Sequence, residues 1–191
     1  STTLPSLVLG ATAAPTVDAE SYLVADIDTG DVLLERNATS LRSIASVTKL
    51  MTALVANETI MFDREITVPR GILLHPPSTT TTTGVRFSVG DLLYPLLMES
   101  NNVIATRLAE YYGTHGFVEW MNTTARALNM TSTRFADPSG ISPDNVSTTE
   151  DLYRLAVYLA DKKSFIWDIT RTPHKTLLDH QGSRYAFDNF N

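Results

Sequence analysis

Two residues in the first third of the sequence, Ser46 and Lys49, could act together as a nucleophile and its base. They form a Ser-x-x-Lys pattern inside an apolar run, residues 43–55, that predicts the opening of a helix. A spacing of three residues places the lysine amine one helical turn from the hydroxyl, on the same face. A lysine kept partly neutral by burial can remove the serine proton. The pattern therefore indicates acyl transfer through a serine, although four residues alone are a weak signal.

A second polar group, Ser100-Asn101-Asn102, follows where one predicted helix ends and the next begins. The Ser100 hydroxyl could pass a proton to a leaving amine, and the Asn102 amide could hold a substrate carbonyl. Taken alone, the tripeptide fits an ordinary helix N-cap with polar neighbours better than a site. Glu99, beside Ser100, could tune the charge of Lys49, but the favoured interpretation is a solvated acid at a helix end.

The composition is that of a globular protein and excludes several kinds of site. The apolar share is 43% and the charged share 19%, which does not suit a disordered chain. A net charge of -6 argues against a nucleic-acid partner and against binding to anionic membranes. The absence of cysteine excludes a thiolate zinc site and a thiol nucleophile. The four histidines show no metal-ligand spacing, so we expect no metal.

The predicted elements are an N-terminal β-hairpin followed mostly by helices, which indicates an α/β or α+β layer fold. The hairpin joins residues 21–28 and 32–36 through an Asp/Gly turn. Helical periodicity marks the segments 46–55, 88–94, 103–112, 117–128 and 152–160. Residues 1–18 are predicted to be an N-terminal arm, and residues 19–191 a single domain.

Four further features carry local predictions. Pro95 is expected to end or kink the second helix, and the threonine-rich stretch 75–84 to be an exposed loop or hairpin tip. Asp137-Pro-Ser-Gly140 predicts a turn that shapes the wall of a cleft. Helical spacing predicts that three aromatic residues belong to the core: Tyr111, Tyr112 and Trp120.

In their order along the chain, the two serine motifs resemble the D-alanyl-D-alanine carboxypeptidases among the low-molecular-mass penicillin-binding proteins. Ile44-Ala-Ser-Val-Thr-Lys-Leu-Met-Thr-Ala53 is similar to the nucleophile helix of that family almost letter for letter. Residues 92–105 resemble the helix pair around its second motif. Further matching stretches cover residues 21–30, 121–130, 133–141 and 147–152. The resemblance spans roughly residues 19–160.

The resemblance implies an α/β fold in which helices flank a central antiparallel sheet and a helical lobe carries Ser100. It implies that Ser46 attacks the penultimate D-alanine carbonyl of a peptidoglycan stem peptide, with Lys49 as general base. Ser100 would relay a proton to the departing D-alanine, and Asn102 would orient the substrate. Water would then hydrolyse the acyl-enzyme. No metal or organic cofactor is implied, β-lactam antibiotics should acylate the same serine, and the location would be extracytoplasmic, in a bacterial periplasm or at the cell-wall face of the membrane.

The third motif of the family, Lys-Thr-Gly on a late strand, has no match in this sequence. Lys175-Thr176-Leu177 is the nearest text, and residues 188–191 resemble a stretch that precedes the motif in relatives. We therefore expect the C-terminal strands to be missing from this chain. The missing strand would supply a second oxyanion donor, and losing one such donor lowers turnover about 100- to 1000-fold.

Three alternatives to a carboxypeptidase remain. A muropeptide endopeptidase of the same family would use the same residues on another substrate. A non-catalytic wall-binding or sensor module would keep the fold and lose the chemistry, and the unmatched third motif favours it. A class A β-lactamase is the weakest alternative, because no glutamate stands in a matching context for its deacylating base.

Overall fold

Helices carry most of the core in the computed structural model, which describes residues 15–190. Within that range the α-helices are α1 (Thr48–Thr59), α2 (Val89–Met98), α3 (Asn102–Tyr112), α4 (Thr114–Ala127), α5 (Thr149–Lys162) and α6 (Ser164–Arg171). Helix α1 contacts α2, α3, α4 and α6 and is buried on most sides, as expected of a helix at the centre of a core. Most of the predicted arm, residues 1–14, lies outside the described residues.

Capping residues explain where two of these helices begin. Ser88 Oγ accepts a hydrogen bond from the Asp91 N–H at 3.0 Å at the start of α2. Thr148 Oγ1 accepts one from the Asp151 N–H at 3.1 Å at the start of α5. Each bond satisfies a backbone donor that the first helical turn leaves unpaired.

Helix α2 continues through Pro95 to Met98, so the proline does not end it. A proline inside a helix removes one backbone hydrogen bond and crowds the preceding turn. Burial of the leucines around it offsets this loss. They are Leu92, Leu93, Leu96 and Leu97.

The described strands form antiparallel two-stranded ribbons. In chain order they are β1 (Tyr22–Ala25), β2 (Val32–Arg36), β3 (Arg42–Ser43), β4 (Glu65–Pro69), β5 (Gly84–Ser88), β6 (Val146–Ser147), β7 (His174–Leu178) and β8 (Arg184–Asp188). Strand β1 pairs with β2, β3 with β6, β4 with β5, and β7 with β8. The predicted hairpin is confirmed, whereas between residues 15 and 190 the ribbons are not joined into one central sheet. Ribbon β1–β2 packs on α5, and β8 packs on α2.

Two predictions about burial are wrong. Tyr111, Tyr112 and Trp120 lie on the outside of the α3–α4 pair, where Trp120 is 46% exposed and donates through Nε1 to the Tyr112 hydroxyl at 2.5 Å. Conversely, the Glu99 side chain is only 7% exposed, because neighbouring segments cover the end of α2. In both cases contacts between distant segments decide burial, and helical spacing does not.

The stretch Asp137–Gly140 bends sharply and packs against the residues that precede α1. Gly140 has a φ of +85°, and a Cβ there would lie 1.9 Å from the Ala45 carbonyl oxygen and 3.0 Å from the Ser46 nitrogen. Only glycine fits such an approach. Ala45 has a φ of +43°, a conformation that a residue with a side chain keeps only when its surroundings impose it.

We expect Gly140→Ala to destabilise the protein by about 3 kcal/mol, through backbone strain and through the clash with Ala45. Gly182→Ala is the matched control, because Gly182 has a similar φ of +82° with nothing within 4 Å of its added Cβ. That change should cost only about 1 kcal/mol. Denaturant unfolding of both variants measures the difference, and equal losses would contradict the close packing at Gly140.

Candidate active site

Ser46 lies in a short 3-10 turn, Ala45–Val47, that leads directly into α1. Because the turn continues into the helix, side chains three positions apart lie on one face, which places Lys49 beside Ser46. Lys49 Nζ donates a hydrogen bond to Ser46 Oγ at 3.0 Å. Ser46 is exposed, whereas Lys49 is 2% exposed. The structure therefore places an accessible hydroxyl against a buried amine.

The surroundings of Lys49 favour its neutral form. Burial lowers the pKa of Lys49 from 10.5 to about 8, and the negative charge of Asp137 opposes part of this decrease. Nζ also donates a hydrogen bond to the Ser139 carbonyl oxygen at 2.6 Å, which fixes the direction of the amine. Near pH 8 about half of these amines are neutral and able to accept a proton.

The carboxylate of Asp137 organises the bend that supplies the Ser139 carbonyl. Its Oδ1 accepts hydrogen bonds from the Ser139 N–H, the Ser139 hydroxyl and the Gly140 N–H. Its Oδ2 accepts from the Ser142 N–H and from Asn145 Nδ2, each at 2.7 Å. Burial acts to raise the pKa of Asp137, but the hydrogen bonds outweigh it and hold the pKa at about 2. Asp137 is therefore ionised at neutral pH.

A cavity of about 410 Å³ opens in front of the serine–lysine pair. It is lined by Ser46, Val47, Lys49, Leu50, Leu96, Leu97, Ser100, Trp167 and Thr170. Three of the four predicted site residues, Ser46, Lys49 and Ser100, thus share one cavity. A carbonyl compound in this cavity would meet a nucleophile, a base and a second hydroxyl.

Ser100 and Asn102 occupy the connection between α2 and α3, and both are exposed. Asn101 between them is the N-cap of α3, since its Oδ1 accepts from the Val103 and Ile104 N–H groups. Asn102 is the first residue of α3, and among the described residues it is not one that lines the cavity. Asn101 therefore caps α3, and the side chains of Ser100 and Asn102 do not take part in capping.

The contribution of α6 to the cavity was not predicted from the sequence. Trp167 and Thr170 reach it from this helix, which no sequence prediction covered. Ile166 and Ile169 of the same helix are buried in the core. Their spacing of three is a signal of helical burial that could have identified α6, though not its position beside Ser46.

Metal ligands and membrane spans are not features of the described chain. Between residues 15 and 190 no group of three or more His, Asp or Glu side chains is arranged to hold a metal ion. No helix in the same range has the length and apolarity needed to cross a membrane.

The protein is similar in sequence and structure to D-alanyl-D-alanine peptidases and to a penicillin-binding protein. A D-alanyl-D-alanine endopeptidase from Pseudomonas aeruginosa is 37% identical over 182 residues, which cover 90% of this chain and 57% of that protein. A D-alanyl-D-alanine carboxypeptidase from Mycobacterium tuberculosis superposes with a TM-score of 0.81 at 26% identity, over 96% of this chain and 70% of the other. A penicillin-binding protein from Listeria monocytogenes, in its cefotaxime-bound form, gives a TM-score of 0.76 at 27% identity, over 94% and 75%. The chain spans about half the length of the curated relatives it matches.

The structural neighbours confirm the predicted penicillin-binding-protein fold. The sequence profile of the D-alanyl-D-alanine carboxypeptidase family matches residues 9–190, a range that contains the serine–lysine pair and the whole described cavity. Because this match covers nearly all of the sequence, the chain belongs to the D-alanyl-D-alanine carboxypeptidase family.

Proposed function

We propose that this protein is a serine-type D-alanyl-D-alanine carboxypeptidase that trims peptidoglycan stem peptides through an acyl-enzyme at Ser46. The observation that carries the proposal is the 3.0 Å contact between the Ser46 hydroxyl and the buried Lys49 amine. A surface serine lacks such a partner, and a lysine buried only for packing has no need of an exposed hydroxyl beside it. The family match supports the choice of substrate.

The proposed mechanism assigns one role to each residue. Neutral Lys49 takes the Ser46 proton while Oγ attacks the carbonyl of the penultimate D-alanine. The Ser46 N–H donates a hydrogen bond to the resulting oxyanion. Ser100 relays that proton from Lys49 to the amine of the departing D-alanine, and Asn102, which lies outside the cavity lining, orients the part of the peptide that projects from the cavity. Water then hydrolyses the ester and regenerates Ser46, so that no metal or organic cofactor is required.

The unmatched Lys-Thr-Gly motif bears on turnover. These 191 residues alone do not contain the motif that would supply a second oxyanion donor. We propose that they turn substrate over about 100- to 1000-fold more slowly than a chain that has this donor. Acylation of Ser46 by a β-lactam leaves a covalent ester that accumulates even when the reaction is slow, so it is a more sensitive readout than peptide release. The cefotaxime-bound form of the Listeria monocytogenes protein supports the use of such a probe.

The substrate also suggests where the protein acts. Peptidoglycan stem peptides lie outside the cytoplasm, so we propose an extracytoplasmic location. The net charge of -6 supports a small peptide partner over a nucleic acid.

A muropeptide endopeptidase is a second candidate, because the 37% identical protein from Pseudomonas aeruginosa bears that name. Both reactions would use the same serine, lysine and relay hydroxyl. They differ in the group that leaves, which is a terminal D-alanine in one case and a cross-linked peptide amine in the other.

The nucleophile is tested with a fluorescent penicillin and the Ser46→Ala variant. The full chain should be labelled, and Ser46→Ala should lose labelling completely because no oxygen remains to form the ester. Ser43→Ala, which changes an exposed serine in β3, should be labelled like the parent protein. Labelling of Ser46→Ala would remove Ser46 as the nucleophile, and an unlabelled parent protein would favour the non-catalytic alternative.

Product analysis separates the two candidate substrates. Incubation with a stem pentapeptide should release free D-alanine, detected by mass spectrometry, and Ser46→Ala should release none. Cross-linked muropeptide dimers should remain intact if the protein is a carboxypeptidase. Conversion of dimers to monomers, without release of D-alanine from the pentapeptide, would support the endopeptidase instead.

The role of Lys49 predicts how acylation depends on pH. Since the neutral amine is the base, the acylation rate should rise with pH and level off above about 8, the pKa of Lys49. Asp137→Asn removes a negative charge that raises this pKa, so the midpoint of the rise should move to lower pH. Asp144→Asn, a change of an exposed acid in the same segment, should leave the midpoint in place. A midpoint that is identical in all three proteins would contradict Lys49 as the base.

A further inference from the structure

The mechanism above makes no use of Glu99, a buried carboxyl group directly before Ser100. Its side chain is 7% exposed, although acidic residues are rarely buried without a partner. It ends helix α2, and the next residue in the chain lines the active-site cavity. This position couples the surroundings of Glu99 to the placement of the Ser100 hydroxyl.

Two distant segments converge on the Glu99 carboxylate. His75, from the long connection between β4 and β5, places Nε2 2.8 Å from Glu99 Oε1. The backbone N–H of Asp188, at the end of β8, lies against the same carboxylate. The His75 ring also packs edge to face on Phe187 of β8, with centroids 6.2 Å apart. The carboxylate thus joins three parts of the chain at the end of α2.

Ser100 has a backbone conformation that needs such support. Its φ is +56°, in the left-handed region that residues with side chains rarely adopt. Asn101, the residue after Ser100, is anchored because its Nδ2 donates to the Ile72 carbonyl oxygen at 3.2 Å. Glu99, the residue before Ser100, is anchored through its carboxylate. A strained residue between two anchors stays in place only while both anchors hold.

Two charged groups, His75 and Asp188, act on Glu99, whereas Lys175 of the neighbouring strand is directed at an aromatic ring. His75 is positive when protonated, and the carboxylate of Asp188 at the end of β8 is paired with His174 of β7. Lys175 of β7 lies over the Tyr94 ring of α2. Burial raises the pKa of Glu99, His75 acts in the opposite direction, and the negative charge of Asp188 adds to the increase. Glu99 therefore takes up a proton at a less acidic pH than an exposed glutamate.

We propose that Glu99 and His75 are positioning residues whose contact holds the Ser100 hydroxyl in the cavity, so that acylation of Ser46 requires the Glu99 carboxylate. The inference rests on the proposed function, because acylation is its readout. When the pH falls and Glu99 is protonated, the carboxylate that His75 and the Asp188 N–H contact is lost, and the left-handed turn at Ser100 relaxes. The proton relay then loses its alignment, although Ser46 and Lys49 are unchanged.

Two ionisations should consequently shape the acidic side of the pH profile. Protonation of Lys49 alone gives a logarithmic acylation rate that falls with a slope of about one as the pH decreases. Protonation of Glu99 adds a second loss, and the slope should approach about two at the acidic end.

The experiment measures fluorescent-penicillin acylation of the full chain against pH in Glu99→Gln and in a matched control. Glu119→Gln is that control, because Glu119 also has a histidine partner, His115 at 3.2 Å, but lies on the surface of α4. Glu99→Gln should slow acylation about 10- to 100-fold at neutral pH and keep a slope of about one throughout. Glu119→Gln should keep both the rate and the steeper acidic slope of the parent protein.

Two further variants separate positioning from a general loss of structure. His75→Ala should slow acylation as Glu99→Gln does, while His75→Gln, which retains a donor for the carboxylate, should recover part of the rate. In a Ser100→Ala background, Glu99→Gln should have no additional effect, since the group it positions is gone.

Three outcomes are decisive. An unchanged rate and slope in Glu99→Gln, or an undiminished effect of that change in the Ser100→Ala background, would overturn the positioning role. A parent protein that is not labelled at Ser46 would overturn the proposed function instead, so the two failures are distinct.

Discussion

The burial of one amine sets the requirements for the rest of the site. Lys49 sits in a helix surrounded by other helices, where its charged form is disfavoured and its pKa falls to about 8. That burial would be unfavourable for a group without partners. The Ser46 hydroxyl and the Ser139 carbonyl supply them, and the second depends on the Asp137 bend. The position of α1, the bend and the exposed serine therefore form one physical unit.

Features that depend on residues close in sequence could be predicted. The spacing of Ser46 and Lys49 was enough to place both groups on one face, and the Asp/Gly turn was enough to predict the β1–β2 hairpin. The Asp137–Gly140 turn was also predicted, but the predicted role in a cleft wall is not confirmed, because none of these residues lines the cavity. Each of these features is decided by backbone geometry within a few residues, which a single sequence encodes directly.

Features that depend on tertiary packing could not be predicted. Glu99 follows the pattern of a solvated helix end, yet His75 and the end of β8 bury it. Trp120 has the spacing of a core residue. Among the residues described, however, no element covers the outer face of α4, on which Trp120 lies. The contribution of α6 to the cavity likewise depends on which helices pack together, because Trp167 is far in sequence from both serine motifs.

The acceptor that orients Lys49 is a main-chain oxygen, and this has a consequence for how the site tolerates mutation. Any residue at position 139 brings a carbonyl group, so replacing that side chain cannot delete the acceptor itself. What can delete it is a change in the path of the backbone, and Gly140 is where that path has no steric freedom. Substitutions at position 139, whose carbonyl contacts Lys49, should therefore preserve the acceptor. Substitutions of Gly140, which does not bond to Lys49, should displace the backbone that carries it.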